Sequence, residues 1–352
     1  MIKEQIIKVI ERMSNREGSK MNVKGAIIHS GGSEKGLKRD IFDSLRRGFS
    51  FLSKTQIKSG EFPIMRWEKK NIKDVSYVKT VFATSFVLHS LKYVRRFLNI
   101  DKISRRAIKF LLNEMENGLW RFYGKNSCIH FDLDTTCCVL ASLKEYDIDL
   151  DYEIIAKKLL KYRNEQGIFN TWILDIDPPF EKADNNIDWV VNANVLFFYS
   201  LLGWNLPEVE QYLIRIVENG TFKERSPYYD SPFCFIYCLT RTYADGKNLK
   251  LSPAIAKIRD HLLEVVNKTQ RDLLESALAS VGLLNCDINS VESVNAIKYL
   301  LDMQRTDGGW PKGIFFTEGP YTKYRIVYGS EALTTAIALE AISKYAKKMV
   351  SC

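Results

Sequence analysis

Two helical patterns alternate along the chain. In one, apolar residues recur three and four positions apart on an otherwise charged segment: "DIFDSLRRGFSFLSKTQ", "SRRAIKFLLNEME", "DYEIIAKKLLKYRNEQ", "LPEVEQYLIRIVEN", "SPAIAKIRDHLLEVVNK" and "VESVNAIKYLLDMQR". In the other, a polar or aromatic start leads into a segment that is small or apolar on nearly every face. These read "DVSYVKTVFATSFVLHSLKYV", "HFDLDTTCCVLASLKEY", "NIDWVVNANVLFFYSLLGW", "YYDSPFCFIYCLTRTY", "RDLLESALASVGLLN" and "YGSEALTTAIALEAISKY", beginning near residues 74, 130, 186, 228, 271 and 328. An amphipathic segment precedes each apolar one. Such pairs bury both members if the apolar helices form an inner ring and the amphipathic ones an outer ring. The pattern therefore predicts an all-α fold, an α/α6 toroid (barrel) of six inner and six outer helices over residues 39–352. Residues 1–38 read as an N-terminal helix and a flexible linker that includes "GGSEKG". All inner helices start at one end, so their polar first turns meet at a single mouth.

The joints between paired helices carry a second regularity. Outer segments end in "QIKSGEF", "EMENGLW", "RNEQGIF", "ENGTF" and "QRTDGGW", with a glycine and then an aromatic two residues on. The glycine stops the helix in a left-handed conformation and the aromatic folds back over the last turn. The joint between Leu262 and Leu273 lacks this pattern. "QRTDGGW" resembles the Q-x-x-D-G-x-W repeat of squalene-hopene cyclases and related class II terpene cyclases, whose toroid is shared with protein prenyltransferase β subunits. The repeat pattern covers residues 40–346, with one full match and degenerate copies elsewhere.

That family starts cyclisation by protonating an alkene or epoxide with the middle aspartate of a D-x-D-D motif. "DLDTT" looks like a D-x-D-T-T variant, which implies Asp134 as the proton donor, with Asp132 and Thr135 holding it protonated and oriented. Keeping a carboxylic acid neutral demands a poorly solvated site and a neighbour that disfavours ionisation. Aspartate and threonine are also ordinary helix N-caps, and the alternative reading has Asp132 or Asp134 only satisfying free N–H groups. The carbocation needs aromatic faces. Tyr77, Phe82, Trp189, Tyr228, Tyr229, Phe233 and Tyr328 at the inner-helix starts are candidates.

Other polar starts are candidate substrate contacts. Asp188 and Asn192 lie one turn apart on a single face and either bridge helices or face the cavity, whereas Asn194 points elsewhere. Lys79, Arg271 and Arg325 are cations suited to a diphosphate, with Arg271 favoured because Asp272 and Glu275 accompany it. Glu331 is a further acid or base, and Asp230 and His130 complete the polar rim. Cys128, His130 and Asp132 are all metal-ligand types. The zinc-binding prenyltransferases, however, draw a histidine from the late inner helix where this chain has Gly329 and Ser330, so no metal is expected. Magnesium enters only as the counter-ion of a diphosphate.

Composition narrows the partners. The net charge of +9 is spread in short pairs with no basic block, which argues against nucleic acid and suits an anionic small molecule. Seven cysteines without a framework of spacings and a polar start predict a reducing, cytoplasmic setting. The longest apolar run, "VVNANVLFFYSLLGW", is too short to span a bilayer, although peripheral contact with a membrane stays compatible. The resemblance implies an isoprenoid cyclase acting on a hydrophobic, diphosphate-bearing substrate. Relatives usually close the site with a second helical domain. Here a homodimer, a partner, or the connectors "NTWILDIDPPFEKADNN" and "PKGIFFTEGPYTKYR" would have to do so. The alternatives are a non-catalytic toroid that binds a lipid, peptide or partner protein, and a carbohydrate-active toroid, since inverting glycosidases also need two carboxylates. Aliphatic and aromatic inner helices favour a greasy ligand over a sugar.

Overall fold

The structure, a computed structural model, describes residues 34–174, 186–266, 272–288, 290–319 and 325–351. Among them are twelve α-helices: α1 (Glu34–Thr55), α2 (Val81–Val94), α3 (Asp101–Asn113), α4 (Leu133–Lys144), α5 (Tyr152–Leu159), α6 (Trp189–Leu201), α7 (Pro207–Glu218), α8 (Pro232–Ala244), α9 (Ser252–Val265), α10 (Leu273–Asn285), α11 (Val291–Asp302) and α12 (Glu331–Ser351). The even-numbered helices pack side by side in sequence, and α12 closes the ring against α2. The odd-numbered helices lie outside them. Their sequences explain the sorting. On α4 every residue from Leu133 to Leu143 is buried, whereas α3 buries only Ile103, Ser104, Ala107, Phe110 and Leu111, the stripe that a 3.6-residue period produces.

Each inner helix begins with a polar cap. The side chains of Thr80, Asp132, Asp188, Ser231, Asp272 and Ser330 accept from backbone N–H groups in the first turns of α2, α4, α6, α8, α10 and α12. The glycine-aromatic joints lock the outer ring to the inner. Phe62, Trp120, Phe169 and Trp310 are buried. Their backbone N–H groups donate to Thr84, Thr136, Asn192 and Thr335, one side chain on each of four inner helices, at 3.0–3.2 Å. Gln56 and Gln304 tie neighbouring outer helices together. Each donates to a carbonyl of its own joint and to one on the next helix, Ile103 or Ser44.

The structure amends the all-helical expectation at the mouth. Residues 74–78 do not open an inner helix: strand β2 (Asn71–Val78) runs up to the Thr80 cap. It joins β1 (Ile64–Glu68), β6 (Ile326–Gly329) and β5 (Phe316–Thr317) in an antiparallel sheet of order β2-β1-β6-β5. The connector "PKGIFFTEGPYTKYR" is therefore partly sheet, although residues 320–324 lie outside the described set. A shorter pair, β3 (Phe131–Asp132) with β4 (Trp172–Ile173), sets Asp132 opposite Trp172. Of the expected N-terminal helix and linker, residues 1–33 lie outside the described residues, and residues 34–36 of "GGSEKG" already belong to α1. Residues 175–185 of the other connector also lie outside.

Gly308 and Gly203 separate two costs of a side chain at positive φ. At Gly308 (φ +93°) an added Cβ would sit 2.3 Å from the Arg47 carbonyl oxygen, while at Gly203 (φ +74°) it would meet nothing within 4 Å. Gly203→Ala should lose about 1–2 kcal/mol, the cost of left-handed backbone. Gly308→Ala should lose clearly more by urea denaturation, because the α11–α1 joint must open. Equal losses would show that the joint is not rigid.

Candidate active site

A cavity of about 640 Å³, counted out to its mouth, lies at the N-terminal end of the inner ring. Its walls are aromatic: Phe82 of α2, Phe122 and Tyr123 after the second joint, Trp172 of β4, Tyr228 and Tyr229 before α8, Phe316 of β5 and Tyr328 of β6. Sheet register explains part of this wall. Phe316 pairs with Tyr328, and their rings stack at 4.8 Å and 8°. Three polar side chains from one helix entry, Asp132, Asp134 and Thr135, also line it.

The two aspartates do different jobs. Asp132 is the N-cap of α4, accepting from the Thr135 N–H at 2.6 Å; its second oxygen is buried with no hydrogen-bond partner. Asp134 caps nothing. It is 8% exposed, and its Oδ1 accepts from Asn194 Nδ2 at 2.7 Å while its Oδ2 accepts from the Tyr229 hydroxyl at 2.5 Å. Burial raises both carboxyls far above the usual range, Asp132 to about 8 and Asp134 to about 7. For Asp134 the donors Tyr229 and Asn194 pull the other way, as does the positive charge of Arg241. Both carboxyls therefore keep their protons to a far higher pH than ordinary carboxylates do.

Tyr228, Tyr229 and Tyr328 reach the cavity as expected, and so does Phe82. Several expected contacts do not, because each is spent elsewhere. Asp188 is fully buried as the cap of α6. One oxygen takes the Val190 and Val191 N–H groups, and the other takes Ser226 Oγ and the Tyr228 N–H. Asn192 is consumed by the third joint, exchanging hydrogen bonds with both backbone groups of Phe169. Its neighbour Asn194, read as pointing away, is the one that meets the acid. Half-buried Trp189 and buried Phe233 lie outside the cavity wall. So does His130, which is buried while Cys128 is exposed, so those two and Asp132 do not share one environment.

The remaining candidates sit in ion pairs or hydrogen bonds. Tyr77 is exposed and donates to Glu61. Lys79 pairs with Glu114 at 2.5 Å, Glu275 accepts from Ser231, and Glu331 pairs with Arg305. Asp230 pairs with Lys69 at 2.6 Å and with Arg325. Arg271 lies outside the described residues.

Sequence reasoning missed Phe122, Tyr123, Trp172, Phe316 and Glu318, which come from joints and short strands rather than helix starts. It also missed Arg241. The signal for that residue was legible: "CLTRTY" places a lone arginine inside an apolar inner helix, and the chain buries it to 2% exposure. A second polar cluster closes the far end of the barrel. His89 bonds Glu145 at 2.7 Å, Lys92 also pairs with Glu145, Lys344 lies 3.3 Å from both Asp245 and Glu340, and Ser90 and Tyr237 donate to Glu340. His89, Asp245 and Glu340 converge closely enough to suit a cation, but Lys92 and Lys344 already offset the carboxylates.

No family model matches the sequence. A curated relative, the drimenol cyclase drtB of Aspergillus calidoustus, is 23% identical over 214 residues, 60% of this chain. The chain spans 38% of that relative's length. The type II terpene cyclase MstE from Scytonema, in a variant bound to its substrate geranylgeranyl dihydroxybenzoate, superimposes with a TM-score of 0.71 at 15% identity. The match covers 88% of this chain and 99% of MstE. The chain is thus similar in sequence, over that stretch, to the drimenol cyclase and shares its fold with MstE. The toroid alone is less selective: a protein described as a possible member of the GH105 family from Salmonella enterica matches with a TM-score of 0.60 at 10% identity, covering 94% of this chain and all of that one. Among the described residues no helix is long and apolar enough to cross a membrane.

The raised acids carry a stability consequence. From the ordinary value of 3.8 up to about 7 and 8, the folded protein binds protons that the unfolded chain has released. Stability should therefore fall as pH rises through that window and level off above it. Asp134→Asn removes one of the two titrations, so urea unfolding should show a shallower decline between pH 4 and 8 than in the wild type. Parallel curves would mean that Asp134 is ionised in the fold.

Proposed function

We propose that the protein is a class II isoprenoid cyclase in which Asp134 protonates the substrate. The carrying observation is a buried carboxyl, held by two side-chain donors and raised to about 7, at the wall of an aromatic cavity with Asp132 beside it. In the proposed reaction the acid proton adds to a terminal alkene, forming a C–H bond and leaving a tertiary cation. Neighbouring alkene π electrons attack that cation to close rings. The final cation loses a proton or captures water. Faces of Phe82, Phe122, Trp172 and Phe316 would stabilise the travelling charge, and their packing excludes water that would quench it early. Asp132, being spent as a cap, fixes the helix entry that carries Asp134 rather than donating.

The rim suits an anionic head group. Lys69 and Arg325 both pair with Asp230, and Arg225 lies close enough for its charge to act on both cations. Burial first, and then the charges of Arg325 and Arg225, depress the Lys69 pKa, while Glu275 opposes them. A diphosphate or carboxylate there, with the prenyl tail extended toward Asp134, fits this arrangement. A sugar substrate fits less well: the lining is mostly aromatic, and of its three acidic side chains Asp132 is occupied as the cap of α4 and Glu318 accepts from Arg66 and Tyr328.

Incubation with prenyl diphosphates and prenylated aromatic acids, with and without magnesium, tests the reading. Cyclised product made in deuterium oxide should carry one deuteron at the initiating carbon. Asp134→Asn should lower turnover at least about 100-fold with the fold intact; a folded variant with full activity would reject the proposal. Lys69→Met combined with Arg325→Met should raise KM for anionic substrates and leave the corresponding prenyl alcohol unaffected. An equal effect on both would remove the head-group assignment.

A further inference from the structure

We propose that Arg241 is a positioning residue that fixes the direction of the hydrogen bonds around Asp134 and so leaves the acid's proton facing the cavity. This rests on the reading of Asp134 as the acid. Arg241 lies on α8, is 2% exposed and takes no part in the cavity wall. Its guanidinium carbon sits 4.4 Å from the ring centre of Phe197, 4.9 Å from that of Phe86 and 5.4 Å from that of Tyr237. Held in that cage, Nη2 donates to Asn194 Oδ1 at 2.6 Å.

A guanidinium only donates, so the amide oxygen of Asn194 must face it and the amide NH2 must face the acid. That NH2 donates to Asp134 Oδ1 at 2.7 Å and to the Tyr229 hydroxyl oxygen at 3.3 Å. The Tyr229 hydroxyl, having accepted there, directs its own hydrogen to Asp134 Oδ2. Both carboxyl oxygens are thus acceptors on their inner side, and the acid hydrogen takes an outward lone pair. Without a pure donor beneath it, the amide could turn over and offer its oxygen to Asp134. The acid hydrogen would then be drawn inward, away from an alkene. Arg241 also supplies the charge that favours the carboxylate formed on proton transfer, in a barrel otherwise too dry to hold one.

The groups facing Asp134 are Asp132, Cys137 and Cys138 on its own helix, Asp188 and Asn194 of α6, and Tyr229, Cys238 and Arg241 of α8 and its lead-in. Among them Arg241 is the one cation. Its loss should move the alkaline limb of kcat, where Asp134 gives up its proton, to higher pH; a purely structural defect would lower kcat at every pH without moving the limb.

Arg241→Met and Arg241→Gln should each lower kcat about tenfold or more, the scale of a misplaced reacting group, with KM within about threefold because the residue touches no substrate. Both should raise the limb. Arg241→Lys, still a pure donor and still charged, should keep the limb in place and recover part of kcat. If the Met and Gln variants fail to fold by circular dichroism, Asn194→Asp decides. It retains an acceptor for Arg241 but no donor for Asp134, so it should show the same loss of kcat. A folded Gln variant with wild-type kcat, an unmoved limb, a loss confined to KM, or a fully active Asn194→Asp would each overturn the proposal. Full activity in Asp134→Asn would instead remove the acid itself, which separates failure of this inference from failure of the proposed function.

Discussion

The site depends on holding the Asp134 carboxyl, buried and poorly solvated, at one end of a ring of apolar helices. Burial alone would raise Asp134 so far that it could never release its proton, whereas water would let it ionise and lose its power as an acid. The balance is set by donors: two neutral hydrogen bonds, from Asn194 and Tyr229, and one guanidinium beyond the first of them. Each is worth more in this medium than at the surface, because little solvent competes. Each must come from a different part of the chain, since a single helix cannot surround one of its own side chains.

The toroid makes that convergence possible. Six inner helices, nearly apolar all round, bury themselves against one another and against the outer ring, and the ring stacks all their N-termini at one end. Every such end exposes N–H groups that need acceptors. Six side chains meet that need, and the side chains of the second turn bind the glycine-aromatic joints, so most of the polar residues at the mouth are structural. On α4 the cap is satisfied by Asp132, and Asp134 is a carboxylate left over. Capping falls to one of the two aspartates, which leaves the other to side-chain partners.

The same economy explains which candidates failed. Asp188 and Asn192 look chemically reactive in "DWVVNANV", yet every polar atom of Asp188 is engaged by backbone or serine, and Asn192 is bonded in both directions to Phe169. The far end of the barrel follows the complementary rule. Helix C-termini gather there, and Lys92 and Lys344 sit among the carboxylates beside them, as the dipoles favour.

By itself the sequence determined the repeat: which helices are inner, which are outer, where the glycine joints fall, and that two aspartates stand at the start of α4. Those properties are local or periodic, and burial follows directly from them. The sheet over the mouth was not legible, because strands as short as Phe316–Thr317 carry too few residues to show alternation. Nor was the partner of the acid. Asn192 and Asn194 differ by two positions, about 200° around a helix, and only the packing of α6 between α4 and α8 decides which one faces Asp134. Arg241 stands 107 residues from that aspartate by position in the chain and one side chain away in space. Closing the ring brings them together, and no periodicity of the chain records that distance.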